Sequence, residues 1–412
     1  MSGLSGSPPP GAAGLGARPR ATMYAPIPPL PTGVATYAAR VLEYTRDVID
    51  WSVRYPPGGD PSSLPGDIRA VPISGEPPPS AGRFFMIGNS PECYPVAEAL
   101  LEIGGCCVFH DTVMHHAVRF CTLGRGRLDE YRRYLRFEYG PDAERVEGEL
   151  ARRTSPGEYD RLLKSRPLLG RLLHASNRVV CLNEHAAGLL SPRVPGRRVS
   201  VISHPLSPVP DLPVLPPPGG TPVIGMAGTG HPGRNPGIFL EAVGVFRKRF
   251  PEAVAVLAGG GWDSSLPEWA SCTGRLDEPG YQAWIRLMDV VVDIRHPDCG
   301  ETSGSLLEAM RAGKPCIVTA SGSFLHLPSD SVLRIPAPPS AAALAHALEM
   351  LSLNGGLAAS LGRAAALYAA DQGSPERARA EWSRLASPRP RAAAPAGRFR
   401  AASLAAAWDE PP

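Results

Sequence analysis

The sequence contains no C-x-x-C pair, no long apolar run and almost no net charge, and each absence removes a class of function. Its formal charge of +3 is too small to make nucleic acid the expected partner. No stretch approaches the roughly 18 apolar residues that cross a bilayer. Eight cysteines are present: Cys93, Cys106, Cys107, Cys121, Cys181, Cys272, Cys299 and Cys316. Their spacing matches no zinc or redox motif, and most stand in apolar runs. They read as small buried thiols in a reducing compartment. The N-terminus is rich in Gly, Pro and Ala and lacks an apolar signal-peptide core. The chain is accordingly expected to be cytoplasmic, with the inner face of a membrane as a candidate location.

At 412 residues, the chain has material for two domains. A hydrophobic share of 43% and a charged share of 20% are ordinary globular values, enough for sizeable cores. Gly (44) and Pro (48) run high and collect at the two ends and in one central stretch. They divide the chain into a disordered leader (1–22), a first lobe (23–209), a Pro-rich linker (210–220), a second lobe (221–386) and a disordered tail (387–412). Met1 and Met23 both stand as candidate starts.

Both lobes alternate short apolar strands with amphipathic stretches, the pattern of parallel βαβ units. The predicted strands are 83–88, 106–109, 178–182 and 198–202 in the first lobe, and 223–227, 253–258, 290–294 and 315–319 in the second. Helices are predicted at 95–103, 237–250, 281–288 and 303–312. Open α/β sheets bind ligands beyond the carboxyl ends of their strands, beside helix N-termini. Candidate chemistry is therefore sought just after each strand. The Arg-rich stretch 119–171 reads either as a solvated helical face or as a basic surface facing anionic lipid or an acidic acceptor.

The strongest segment runs Arg295-His-Pro-Asp-Cys-Gly-Glu-Thr-Ser-Gly-Ser-Leu-Leu-Glu308. A strand ends, a small-residue loop follows, and a helix begins near Ser303. The free N–H groups of such a helix start form an anion site. Thr302, Ser303, Gly304 and Ser305 let a diphosphate approach the backbone closely. Glu308, about one and a half turns in, is spaced to hold two vicinal hydroxyls. A second loop, Gly228-Thr-Gly-His-Pro-Gly-Arg234-Asn235-Pro236, places a cation after glycines, where Arg234 can neutralise a diphosphate. It is not a Walker loop, since no Gly-Lys-Ser/Thr follows. His110 closes a first-lobe strand, where it can reach a substrate hydroxyl. With Asp111, His115 and His116 it also makes a weak metal candidate. Pro28-Pro-Leu-Pro-Thr-Gly33 reads as a loop entering a helix capped by Thr32.

In this order the segments resemble glycosyltransferase family 4, in its bacterial branch with a Gly-Glu-Thr-Ser loop. The likeness runs from Tyr24 to Leu385. Pro28 to Gly33 looks like the first glycine loop, Ile87-Gly-Asn-Ser90 like a strand-end element, and Cys107 to Asp111 like the strand whose terminal His meets the donor sugar. Val201-Ile-Ser-His-Pro205 is similar to the strand before the linker. Gly233-Arg234-Asn235-Pro236 resembles the family's Gly-Lys-Asn-Pro loop, and Gly322 to Pro328 a loop beside the nucleotide. The resemblance implies a GT-B fold of two Rossmann-like lobes around a nucleotide-sugar cleft. It implies a retaining, metal-independent hexosyltransferase using a nucleotide-diphosphate sugar, with no cofactor beyond that donor.

In that picture Arg234 and the amides near Ser303–Ser305 hold the diphosphate, with Gly33, Gly228 and Asn235 in the binding loops. Glu308 holds the ribose, Glu301 faces the sugar hydroxyls and His110 lies near C6. The absence of any D-x-D triplet argues against the metal-dependent single-domain class. Three positions depart from the pattern. Glu301 stands seven before Glu308 rather than eight, where Gly300 lies; Gly228 replaces a second basic residue; and His326 replaces a Glu. A GT-B scaffold without catalysis, acting as a partner subunit, and a sugar-nucleotide epimerase or phosphorylase are the competing readings. The acceptor is open among glycan, lipid and metabolite, with peripheral membrane contact as one prospect.

Overall fold

The computed structural model describes residues 18–75, 82–152, 155–197, 199–208, 211–213, 215–216, 218–262 and 265–387. Seven strands form the first sheet: β1 (Arg20–Tyr24), β2 (Asp50–Tyr55), β3 (Arg69–Pro72), β4 (Gly82–Ile87), β5 (Gly105–Phe109), β6 (Ser176–Cys181) and β7 (Val199–Val201). Their order is β3-β2-β1-β4-β5-β6-β7, all parallel. Six more form the second: β8 (Val223–Ala227), β9 (Val254–Ala258), β10 (Ala270–Cys272), β11 (Val290–Asp293), β12 (Cys316–Thr319) and β13 (Leu333–Ile335). These run in the order β10-β9-β8-β11-β12-β13, again all parallel. Central strands such as β5 and β8 are buried along their whole length. This follows from helices covering both faces, and it is why they read as continuous apolar runs.

Helices α1 (Gly33–Thr45), α2 (Tyr94–Ile103), α3 (His115–Cys121), α4 (Leu128–Tyr139), α5 (Ala143–Leu150), α6 (Pro156–Lys164), α7 (Gly170–Ala175) and α8 (Glu184–Leu190) belong to the first lobe. The second lobe carries α9 (Pro236–Phe246), α10 (Glu278–Leu287), α11 (Gly304–Arg311), α12 (Ala341–Leu353) and α13 (Gly355–Gln372), and α14 (Pro375–Ala386) follows. In each sheet the chain builds outward from the first strand and then resumes on its other side. That reversal puts a topological switch point between β1 and β4 and another between β8 and β11, where α/β sheets bind ligands.

The eight predicted strands are all present, but the domain boundaries shift in two places. β1 begins at Arg20, inside the expected leader, and Met23 sits mid-strand paired with Val53 and Phe84. Residues 1–17 of the leader and the expected tail from 388 lie outside the described residues. The second correction concerns α14, expected in the second lobe. It crosses back to the first, where Trp382, Leu385 and Ala386 join that lobe's core. The Trp382 ring meets Trp51 and Phe84 edge-on at 5.7 and 5.4 Å. Trp382→Ala should cost about 3–5 kcal/mol, read as a fall in denaturant midpoint; an unchanged midpoint would show that α14 is not part of the core.

Strands β1, β2, β3, β10 and β13 went unpredicted. β3 is a partly exposed edge strand, and β10 and β13 span three residues each, too short for a period-2 signal. Six cysteines are buried, while Cys272 is exposed and Cys299 half-buried; all eight are free thiols. The Arg-rich stretch forms α3 to α7, and much of its charge is paired: Arg132 with Glu147, Arg145 with Asp142 and Glu149, and Arg166 with Glu149. Among the described residues no helix is long and apolar enough to cross a membrane.

Candidate functional site: the cleft between the lobes

Asp293, the last residue of β11, is the hub of the second-lobe side. Its Oδ1 accepts from Arg234 Nη2 at 3.0 Å and Arg295 Nε at 3.2 Å. Its Oδ2 accepts from the Ser303 hydroxyl. Burial alone would raise this carboxyl, but Arg295 foremost and then Arg234 hold it down at about 2. Two guanidiniums are thus fixed by one buried anion at the start of α11. Ser303 caps that helix, accepting from Leu306 N–H at 3.3 Å, as its position before the helix predicts. Gly313, at φ +71°, ends the helix as expected.

Arg234 is buried. Besides Asp293 it reaches Ser305 Oγ at 3.1 Å, and it lies 5.6 Å from the Trp262 ring centre, a cation–π contact. Gly228, at φ +111°, lies directly beneath it: a Cβ there would overlap Arg234 Nη1 and stand 3.1 Å from Ser305 Oγ. The positive φ strains any side chain at Gly228, and a Cβ there would displace the Arg234 guanidinium. A second cation stands nearby in Arg295, whose Nη2 reaches Ser303 Oγ at 3.0 Å and whose Nη1 reaches Glu301 at 2.7 Å. Asn235 adopts a left-handed conformation, φ +52°. Its amide donates to the carbonyls of Gly233 at 3.1 Å and His296 at 3.5 Å, so it braces the loop that carries Arg234.

Glu301 turns back on its own loop, accepting from Arg295 and from Cys299 N–H at 2.6 Å. Burial opposes its charge, and Arg295 more than offsets that, keeping it below the usual glutamate range. Across the cleft, burial and then Glu301 push Asp111 up to about 7. The position eight before Glu308 is closed to glutamate. Gly300 has φ +71°, and a Cβ there would stand 2.6 Å from Thr112 Cγ2 of the first lobe. Thr112 grips this turn, its N–H and hydroxyl donating to Cys299 O at 2.6 and 2.9 Å. The Thr302 hydroxyl is likewise engaged with the first lobe, donating to Leu182 O at 3.1 Å and accepting from Asn183 at 2.9 Å.

On the first-lobe side, His110 follows β5 as expected. It is buried, edge-on to Tyr37 at 4.7 Å, and its Nε2 has no hydrogen-bond partner among the described residues. Burial, aided by His204, drops its pKa to about 3, so the ring is neutral. His204, after β7, packs on Tyr37 at 5.1 Å. A Cβ on Gly304 would stand 3.2 Å from the His204 ring, which accounts for glycine at the first residue of α11. Gly33 opens α1 with free space where a side chain would begin. Its loop touches the second lobe, where Arg275 donates to Pro29 O at 2.9 Å.

His115 and His116 point elsewhere. His115 bonds Tyr131 OH at 2.7 Å and Arg166 O at 2.5 Å. His116 bonds Asp160 and Asn89, each at 2.9 Å. Among the described residues no group of three His, Cys, Asp or Glu is arranged to hold a metal. Glu308 is buried and lies 3.0 Å from Arg40 of the first lobe; Gln282 donates to its Oε2 at 2.9 Å and Arg311 also pairs with it. Burial raises its pKa above the usual glutamate value, although Arg40 and Arg311 oppose this.

Sequence reasoning missed Asp293, Arg295, His204, Thr112 and Arg40 as members of this cleft. Asp293 and Arg295 stand at a strand end, the signal that located the other residues. Arg40, inside a helix, carries no such mark.

Three deeply buried histidines, His110, His115 and His204, are each lowered from 6.5 to about 3 by burial. Between about 3 and 6.5 the unfolded chain binds more protons at these rings than the folded one, so stability falls as pH drops through that window. Asp111, raised to about 7, and Glu308, also raised by burial, act oppositely. The thermal midpoint should fall by about 5 °C or more from pH 7.5 to 4.5; a flat profile would mean the rings are protonated in the fold.

Residues 221–354 match a family model described as "Glycosyl transferases group 1", spanning β8 to the end of α12. None of the curated proteins compared with the chain matches it. Solved structures match nearly its whole length. Sucrose-phosphate synthase from Thermosynechococcus elongatus superposes with a TM-score of 0.59 at 15% identity, over 89% of this chain and 98% of that one. Anabaena HepE in complex with UDP and glucose gives 0.56 at 13%, over 89% and 99%. WaaG, described as a glycosyltransferase involved in lipopolysaccharide biosynthesis, also gives 0.56 at 13%, over 89% and 99%. At these identities the likeness establishes the architecture: two parallel α/β sheets in the GT-B arrangement. The group 1 match falls within the second lobe of that fold.

Proposed function

We propose that this chain is a retaining glycosyltransferase of family 4 that moves a hexose-type sugar from a nucleoside-diphosphate sugar to an acceptor hydroxyl without a metal ion. The observation that carries the reading is the pair Arg234 and Arg295, both fixed on Asp293 beside the N-terminus of α11, at the switch point between β8 and β11. A diphosphate at that helix start would meet backbone N–H dipoles and two oriented guanidiniums. Such preorganised charge stabilises a departing diphosphate as its bond to C1 breaks. The described contacts across the cleft would exclude water from the reacting bond. His110, neutral and with a free ring nitrogen, suits a hydrogen bond to a sugar hydroxyl. Glu308 would take the ribose. The likeness to HepE, solved with UDP and glucose, supports a nucleotide-sugar donor, and the group 1 match falls on the lobe that would bind it.

A second reading is a GT-B scaffold without turnover, serving as a partner subunit. It is favoured by Glu301, whose two oxygens are taken by Arg295 and the Cys299 amide, and by a Gly300 that admits no replacement. Thermal-shift titration with UDP, GDP, ADP and TDP in EDTA, repeated on Glu308→Ala, tests the donor site. One nucleotide should raise the wild-type midpoint by several degrees and lose that effect in the variant. No shift from any of the four would sink the transferase reading in favour of the scaffold.

A further inference from the structure

Glu308, the residue assigned above to the donor ribose, is already held by the opposite lobe. Arg40 leaves the middle of α1 and puts Nη2 3.0 Å from Glu308 Oε1 and 3.2 Å from Glu278 Oε1. Glu278 opens α10 and Glu308 lies in α11, so one first-lobe cation bridges two second-lobe helices. Both Arg40 and Glu308 are more than nine-tenths buried. Removing one partner of a buried pair is costly where it leaves the other charge uncompensated.

The contact is poorly made as a hydrogen bond. Oε1 of Glu308 and Nε of Arg40 are both buried without a hydrogen-bond partner among the described residues. Buried polar atoms are ordinarily satisfied, and an orphan points to a missing partner. Oε2 differs, since it is served by Gln282 and Arg311. Glu308 therefore has one oxygen committed within its own lobe and one facing an arginine that only neutralises it. A ribose hydroxyl would give that oxygen an aligned donor.

We infer that Arg40 is a latch: it occupies the ribose carboxylate when the lobes sit as in this structure, and nucleotide binding proceeds by exchanging Arg40 for the ribose hydroxyls. Glu278 is the second seat. It is 39% exposed at its side chain, against 2% for Glu308, so it can keep Arg40 paired after the exchange without stranding a buried charge. The donor thereby competes with one interlobe contact for one oxygen, and binding is coupled to rearrangement at that contact. The inference rests on the proposed role of Glu308.

Isothermal titration of the full chain with UDP, GDP, ADP and TDP in EDTA tests it, comparing wild type with Arg40→Met and Glu278→Gln. Arg40→Met keeps the apolar stem and removes the charge, and it should bind the preferred nucleotide about tenfold more tightly. Glu278→Gln removes the second seat and should bind it several-fold more weakly. Glu278 is partly exposed, so this variant remains informative if Arg40→Met fails to fold. Equal affinity in all three proteins would overturn the latch while leaving the donor site intact. Weaker binding by Arg40→Met would also overturn it, by making Arg40 a ligand of the nucleotide. No binding by any of the three would instead fail the donor-site reading itself, and the latch with it.

Discussion

Arg234→Met should lower kcat/KM for sugar transfer by about 10²–10³-fold, the usual cost of removing one preorganised group that meets developing charge. The fold should survive, because Asp293 keeps Arg295 and Ser303 as partners and is not left as an unpaired buried charge. Arg234→Lys should recover part of the loss. It restores the charge but not the fork that meets Asp293 and Ser305 together. Turnover of Arg234→Met within about threefold of wild type, measured by release of the nucleoside diphosphate, would remove Arg234 from the reaction and with it the metal-free account of leaving-group stabilisation.

Gly300→Glu should abolish turnover, although it restores the glutamate spacing of the resembled family. Two reasons are independent. A backbone at φ +71° disfavours any side chain with a Cβ, by about 1–2 kcal/mol. The Cβ would also press into Thr112, whose bonds to Cys299 O hold the lobes together at this turn. Gly300→Ala should therefore be nearly as damaging, which separates the steric cause from the added charge. Nucleotide affinity should suffer less than turnover, since Glu308 and Arg234 sit on other elements. Gain of activity in Gly300→Glu would show that the loop relaxes freely and that the Thr112 contact does not shape the site.

The central strands of the two sheets were legible because parallel strands covered on both faces must be apolar throughout. β5, β8, β11 and β12 announce themselves as short unbroken apolar runs. The helix start at Ser303 and Gly304 was legible for a different reason: capping is local, and its signal lies within four residues. The edge strands β3 and β10 were not, since they lack the burial that enforces a pattern. The boundary errors have one cause. A strand such as β1 is defined by its neighbours Asp50 to Arg54 and Gly82 to Phe85, which are far away in sequence.

The sequence by itself determined the βαβ alternation, the order of the loops, and which residues stand at strand ends: His110, Arg234 and the 301–305 turn. These are properties of a few consecutive residues, governed by periodicity and local hydrogen bonding. The tertiary structure decided which of them share a partner. Asp293 gathers Arg234 from the loop after β8 and Arg295 from its own strand end, because β8 and β11 are adjacent only through a reversal in strand order. Tertiary packing alone also sets Gly300 against Thr112, Gly304 against His204, and Arg40 against Glu308. Each of those pairs joins residues at least 100 positions apart, and no local preference of the chain encodes a contact that exists only when two separately folded lobes meet.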